Sequence, residues 1–326
     1  MKAVLATDYG SPEVLKLAEV EKPVPKDDEI LIKVHAATAM PGDCEIRRFD
    51  MHVLFWIPVR IIMGIVRPKQ PILGLELAGE VEKVGSKVTQ FKKGDKVYSI
   101  TGLKMGAYAQ YKCQRAKFMT ALIPSGLSYE EAATLPTGGV NALHYMRLAN
   151  INKDDKVLIN GASGCFGIYA IQIAKLFGAK VTAVDRSDKL EILTELGADK
   201  VIAYDKEDFT ANRSSYDVVF DVIGTKSPWK IMKSLRPKGR YVLATPWVFQ
   251  VIKGTFSALF KGRKFRYALA GEKTEDMEYI RNLVNEGKLK TVIGKTFPLE
   301  QLAEAHRYVE SKDKIGHVAI TIDHNT

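Results

Sequence analysis

Asn160-Gly161-Ala162-Ser163-Gly164-Cys165-Phe166-Gly167 is the stretch whose reading decides the fold. Before it stands Lys156-Val-Leu-Ile-Asn160, a short apolar run of strand character. After it, Ile168 to Phe177 carries apolar residues at helical spacing. Read as G-x-G-x-x-G, Ala162 takes the first glycine's place, while Gly164 and Gly167 hold the second and third. The second glycine of such a turn lets backbone approach a pyrophosphate, and the third lets the helix pack closely on the strand. The helix amino terminus adds N–H groups and a positive dipole end. A plain tight turn is the alternative. An acid at Asp185, at the end of the next strand and about 20 residues on, favours a dinucleotide. Ala162, Ser163, Gly164, Cys165, Phe166 and Gly167 are thus the expected cofactor loop.

Working outward, Lys180-Val-Thr-Ala-Val-Asp185 is a second strand and Lys189 to Leu196 a second helix. Val201 to Tyr204, Asp217 to Asp221 and Gly239 to Ala244 continue the strand series. Strands alternating with helices predict a doubly wound parallel sheet, a Rossmann domain. Residues before about 122 have another rhythm. Glu29 to His35, Gly79 to Gly85 and Asp95 to Ser99 alternate apolar and polar side chains between glycines and prolines, as a β-rich domain does. The tail Gly316 to Ile322 has strand spacing and is expected to rejoin that domain. The expected organisation is α/β, with 1–122 completed by 292–326 as one domain and 123–291 as the Rossmann domain.

Composition is consistent with this. At about 150 residues per domain, 326 residues suggest two domains. A hydrophobic share of 46% and a charged share of 26% suit a globular chain. The apolar stretch Val53 to Val66 is broken by Pro58 and Arg60, so no membrane span is expected. The amino terminus lacks a signal-peptide layout. Cys44, Cys113 and Cys165 are odd in number and far apart, which suits a reducing compartment and a cytoplasmic location. The net charge is +10, with basic clusters at Arg60 to Lys69 and Lys253 to Arg266. Neither has a nucleic-acid-binding layout, so no nucleic acid partner is expected.

The end of the second strand reads Val184-Asp185-Arg186-Ser187-Asp188-Lys189. Asp185 suits the ribose hydroxyls of NADH and repels a 2′-phosphate. Arg186 and Lys189 suit the 2′-phosphate of NADPH. The residues alone leave both cofactors open.

Nearly the whole chain resembles the medium-chain dehydrogenase/reductase superfamily, in its zinc-free quinone oxidoreductase branch. Pro71-Ile-Leu-Gly-Leu-Glu-Leu-Ala-Gly-Glu-Val-Glu-Lys-Val-Gly85 and Phe91 to Val97 are similar to the catalytic-domain signature. The glycine turn, Gln172 to Lys175, Gly178-Ala179 and Leu196 to Asp199 are similar to the cofactor domain. The resemblance implies a GroES-like domain interrupted by the Rossmann domain, an active site in the cleft between them, and a homodimer through the edge of the Rossmann sheet. It places Lys189 and Tyr204 at a 2′-phosphate, which turns the balance against Asp185 toward NADPH. It places Val222, Ile223, Gly224 and Thr245 beside the nicotinamide, and has Thr137 and Asn141 facing the cofactor. Zinc-dependent members carry a Gly-His-Glu run and a Cys three residues before an Asp. Here these positions read Gly74-Leu75-Glu76 and Met40 with Asp43, and Tyr98 to Tyr111 lacks the cysteines of a structural zinc lobe. No metal is therefore expected. Met40 stands where many quinone reductases place an asparagine near the nicotinamide.

Hydride transfer is the cofactor's chemistry, and the protein orients it. A quinone or conjugated carbonyl, whose product charge is delocalised, is the expected small-molecule substrate. The alternatives are a 2-alkenal or enoyl reductase, and a non-catalytic dinucleotide-binding sensor or RNA-associated protein. Asp43 and Glu76 are candidate proton donors, with a structural role as the competing reading; Tyr108 and His317 are weaker candidates. Met51 to Arg60, with Trp56, and Trp247 to Ile252, with Phe256, Leu259 and Phe260 at helical spacing, read as a substrate wall beside Met40, as core packing or as a dimer contact.

Overall fold

The computed structural model describes residues 1–50, 59–244, 248–268, 271 and 273–324. Two compact units divide the chain. One is Met1–Thr137 with Lys273–Asn285 and Thr291–Thr326; the other is Gly138–Glu272 with Glu286–Lys290.

In the first unit, β1 (Lys2–Ala6) pairs with β2 (Leu15–Glu19). A seven-stranded sheet follows from β3 (Glu29–Ala39), β4 (Glu76–Val84), β5 (Lys96–Ile100), β6 (Tyr111–Arg115), β7 (Thr120–Leu122), β14 (Ile293–Pro298) and β15 (His317–Thr321). Its order is β14-β15-β3-β4-β5-β7, with β6 also on β3. The carboxy-terminal strand β15 runs antiparallel to β3, with Val318 opposite Ala39. Ile30, Ile32, Val34, Leu77, Val81 and Val318 form the core of this unit. Deleting one such side chain to alanine costs about 2 to 5 kcal/mol.

The units do not part at 122/123, and the last segment of the first unit begins at Thr291. The helix Tyr129–Ala133 packs on β3, β4 and β15, which carries the first unit through Thr137. The helix Thr274–Asn285 packs on β7, and the Tyr98 hydroxyl donates to the Met277 carbonyl at 2.7 Å. That helix therefore joins the first unit as well.

The second unit holds six parallel strands: β8 (Lys156–Asn160), β9 (Lys180–Asp185), β10 (Lys200–Ala203), β11 (Tyr216–Asp221), β12 (Leu235–Leu243) and β13 (Lys264–Tyr267). Their order β10-β9-β8-β11-β12-β13 is that of a doubly wound sheet. The order reverses at β8 and β11, and the crevice beyond the carboxyl ends of those strands is where such sheets bind ligands.

The helix Val248–Lys261 has its large and small residues on unexpected sides. Among its described side chains, Gly254, Ser257 and Ala258 are buried, and a Cβ on Gly254 would meet the Phe265 ring at 2.6 Å. Phe256 is 60% and Leu259 75% exposed. Core packing is thus excluded for Phe256 and Leu259. Met51–Pro58, with Trp56, and Thr245 and Trp247 lie outside the described residues. Among the described residues, no helix is long and apolar enough to cross a membrane.

Candidate dinucleotide site

The glycine turn leaves β8 by a sharp reversal. Gly161 has φ of +81°, and its amide and that of Ala162 both donate to the Val184 carbonyl at 3.1 Å. A Cβ on Gly161 would lie 2.7 Å from Ile223 Cγ1. The tight-turn role expected one residue later therefore belongs to Gly161, and Ala162 is not a defect in the motif. At Gly167, a Cβ would lie 2.4 Å and 2.5 Å from the carbonyl oxygens of Gly161 and Ala162, so the ten-residue helix Gly167–Leu176 sits hard on the turn. Gly164 differs. The one atom a Cβ would approach there is the Gly161 carbonyl oxygen at 3.3 Å, which leaves room for a ligand over the backbone. Helix geometry leaves the first N–H groups of such a helix without intrahelical acceptors. Ser163 and Cys165 are buried, and Ser163 donates its amide to Asp185 Oδ2 at 2.8 Å.

The ends of β9 and β10 bring the expected ribose and phosphate residues together. Asp185 is buried, and its other oxygen accepts from the Arg186 amide at 2.9 Å. Tyr204, exposed, donates its amide to the Asp185 carbonyl at 3.0 Å. Lys189 is buried and donates its amide to the Arg186 carbonyl at 3.0 Å. The Arg186 guanidinium makes two bonds of 2.6 Å to Asp188. Asp185 is thus no bare carboxylate: it caps the glycine turn.

Beside β8, one residue that sequence reasoning missed sets the loop after β11. Asp221 is fully buried, and Oδ1 accepts from Asn160 Nδ2 at 2.8 Å, the Gly224 amide at 2.9 Å and the Ile223 amide at 3.2 Å. The Tyr241 hydroxyl donates to Oδ2 at 3.1 Å. Burial pushes the Asp221 carboxyl up, and these donors hold it back. The Val222 amide donates to the Asn160 carbonyl at 3.0 Å, so Val222, Ile223 and Gly224 are laid against the glycine turn. An acid closing an apolar strand just before a glycine was the available signal.

Thr137 lies in a π turn, Leu135–Gly139, and its amide donates to Glu76 Oε2 at 2.7 Å. Pro136 has no N–H to give, and the Thr137 N–H is diverted to a side chain, so the regular ladder cannot form there. Four residues on, the buried Asn141 Oδ1 has no hydrogen-bond partner among the described residues. A buried acceptor left unpaired costs about 1 to 3 kcal/mol, so a ligand hydroxyl or amide fits this place. Together with the open backbone at Gly164, this suits a dinucleotide.

Asp43 and Glu76 are both fully buried. The Met40 amide donates to Asp43 Oδ2 at 3.1 Å, and the Tyr108 hydroxyl donates to the Thr38 carbonyl at 3.0 Å. Glu76 accepts from the Thr38 hydroxyl as well as from Thr137. Burial pushes the Asp43 carboxyl up to about 7. Burial also raises Glu76, while the nearby His317 charge and the hydrogen bonds lower it. Zinc takes thiolate, imidazole or carboxylate donors. Here Met40 and Leu75 occupy the ligand positions, and Glu76 has both oxygens committed. Among the described residues, no group of three or more His, Cys, Asp or Glu is arranged to hold a metal. Cys44 lies 3.4 Å from His306 Nδ1, where burial drives the thiol up and the imidazole down to about 3.

A chloroplastic quinone-oxidoreductase homolog of Spinacia oleracea is 32% identical to this chain, covering 98% of each. The chain belongs to the medium-chain dehydrogenase/reductase superfamily, in its quinone oxidoreductase-like branch. Two family descriptions fall on this reductase: "Alcohol dehydrogenase GroES-like domain" over residues 26–144 and "Zinc-binding dehydrogenase" over 196–320. The NADPH-dependent alkenal/one oxidoreductase of Arabidopsis thaliana is 31% identical, covering 98% of this chain and 79% of the relative. Among solved structures, the quinone oxidoreductase of Coxiella burnetii superposes with a TM-score of 0.88 at 30% identity, covering 99% of each chain. The protein is an NAD(P)H-dependent oxidoreductase with a GroES-like and a Rossmann domain.

Proposed function

We propose that this reductase uses NADPH, without zinc, to reduce a quinone or a conjugated carbonyl compound. The gathering of Asp185, Arg186, Lys189 and Tyr204 at the ends of β9 and β10 carries the cofactor reading. Two backbone N–H groups already share the Asp185 charge, which softens its repulsion of a 2′-phosphate. Lys189 and the Arg186 guanidinium supply positive charge. The Arabidopsis relative named as NADPH-dependent supports the same choice. The names of the spinach and Arabidopsis relatives support quinones and alkenals as substrate classes.

The nicotinamide supplies the hydride when the cofactor is bound. The residues around it bind and orient. The Gly164 backbone and the start of the helix Gly167–Leu176 receive the pyrophosphate. Asp221 fixes the amides of Ile223 and Gly224, so that the Val222–Gly224 loop is pre-formed for the nicotinamide. Asn141 Oδ1 accepts from a cofactor donor. Asp43 and Glu76, sealed from water and hydrogen-bonded, hold the β3–β4 region in place and are not the proton donor. Met40 and Leu75 take the zinc ligands' places. The three free cysteines favour a reducing, cytoplasmic setting, and the edge strand β13 suits a homodimer.

Titration with NADPH and NADH tests the cofactor reading. Asp185→Asn keeps an oxygen for the turn and removes the charge, so NADPH should tighten about tenfold and NADH should weaken. Lys189→Gln should weaken NADPH alone by about tenfold. Equal shifts for both cofactors would remove the assignment of a 2′-phosphate to this corner.

A further inference from the structure

The loop after β11 is held from more than one side. Asp221 takes the amides of Ile223 and Gly224, and the Val222 amide goes to the Asn160 carbonyl. Those bonds fix N–H groups and leave the Gly224 carbonyl to be placed. Gly224 has φ of +71°, a conformation that glycine adopts at no steric cost. With no Cβ to restrain it, the plane of the peptide between Gly224 and Thr225 can turn either way. A side chain sets its direction: Gln250 Nε2 donates to the Gly224 carbonyl at 2.5 Å.

Gln250 belongs to a different element. It stands in the first turn of the helix Val248–Lys261, which follows β12. Leu243, the last residue of β12, is the register partner of Asp221 at the end of β11. The start of the helix therefore lies at the carboxyl ends of the strands, on the side of the crevice. The fit there is close. A Cβ on Gly224 would lie 3.0 Å from Gln250 Nε2 and 3.3 Å from Leu243 Cδ1, so the glutamine amide reaches the loop backbone where a glycine leaves room. Farther along the loop, Lys226 pairs with Asp208 at 3.5 Å.

A ring resting on this loop feels the direction of each peptide plane, because a misplacement of about 1 Å at a reacting centre can cost about a hundredfold in rate. Asp221 holds the N–H side of the loop from within the sheet, and Gln250 holds the carbonyl side from the helix. On the proposed placement of the nicotinamide beside Val222–Gly224, we infer that Gln250 is a positioning residue for hydride transfer, fixing the Gly224 carbonyl so that the loop keeps one shape against the ring.

Gln250→Met tests this, since methionine keeps the length and removes the donor. Gln250→Asn keeps the amide but falls about 1.5 Å short. In the cofactor-free protein, the amides of Gly224 and Thr225 should exchange with solvent about fivefold faster in both variants, with the melting temperature little changed. With NADPH and a quinone, kcat should fall about tenfold. The affinity for adenosine 2′,5′-bisphosphate, which carries the 2′-phosphate and no nicotinamide, should stay at the wild-type value. Wild-type exchange and kcat in Gln250→Met, or a loss of bisphosphate affinity as large as the loss in kcat, would overturn the inference and leave the reductase reading standing. A wild-type protein that binds no NADPH, or reduces no acceptor with it, would overturn both.

Discussion

Gly164→Ala is expected to lose about a hundredfold in dinucleotide affinity while unfolding at nearly the wild-type denaturant concentration. The added methyl would sit 3.3 Å from the Gly161 carbonyl oxygen, a contact that a shift of a few tenths of an ångström relieves. The folded state therefore tolerates it. The ligand does not, because on the proposed reading the pyrophosphate occupies the space over that backbone. Pushing it away loosens charge-assisted N–H bonds, each worth about 1.5 to 3 kcal/mol. Gly167→Ala is the reverse case. Its methyl would lie 2.4 Å and 2.5 Å from two backbone carbonyl oxygens, which no rotamer change relieves. A stability loss of about 3 kcal/mol is expected. Isothermal titration with NADPH and urea unfolding of both variants separate the two roles. Equal affinity losses without a stability difference would mean that the turn is not built as described.

Asp43→Asn is expected to make the protein more stable than wild type at neutral and alkaline pH. The Asp43 carboxyl is pushed up to about 7 by burial, against about 3.9 in an unfolded chain. Between those values the folded state holds a proton that the unfolded state has released. Stability therefore falls as pH rises through that window and is flat above about 7. The full span is about 4 kcal/mol, an upper figure because local relaxation reduces it. Asparagine keeps an oxygen for the Met40 amide and carries no charge to desolvate. Glu76, also raised by burial, leaves the variant a residual slope of the same sign. Urea unfolding at about pH 5 and about pH 8 should show the advantage of the variant growing with pH. A constant difference would mean that Asp43 is ionised throughout.

Much of this was legible in the residues. The β8–turn–helix unit was readable because strand period, glycine spacing and helical period change over within a few residues at Asn160 and Gly167. Other features depend on distant partners. The turning glycine is Gly161, set by how Ile223 approaches it. The π turn at Thr137 exists because Glu76, sixty-one positions earlier, takes its amide. Asp185 looked like a free ribose ligand, yet it caps the turn through Ser163. The helix Thr274–Asn285 joins the first unit through a Tyr98 hydrogen bond that no local pattern announces.

The most direct measurement is NADPH oxidation, followed with a quinone, a 2-alkenal and a simple aldehyde before and after treatment with a metal chelator. Rapid oxidation with the quinone or the alkenal, none with the simple aldehyde, and no change after chelation is the expected result. Turnover that vanishes on chelation and returns with zinc, or tight NADPH binding with no acceptor reduced, would contradict it.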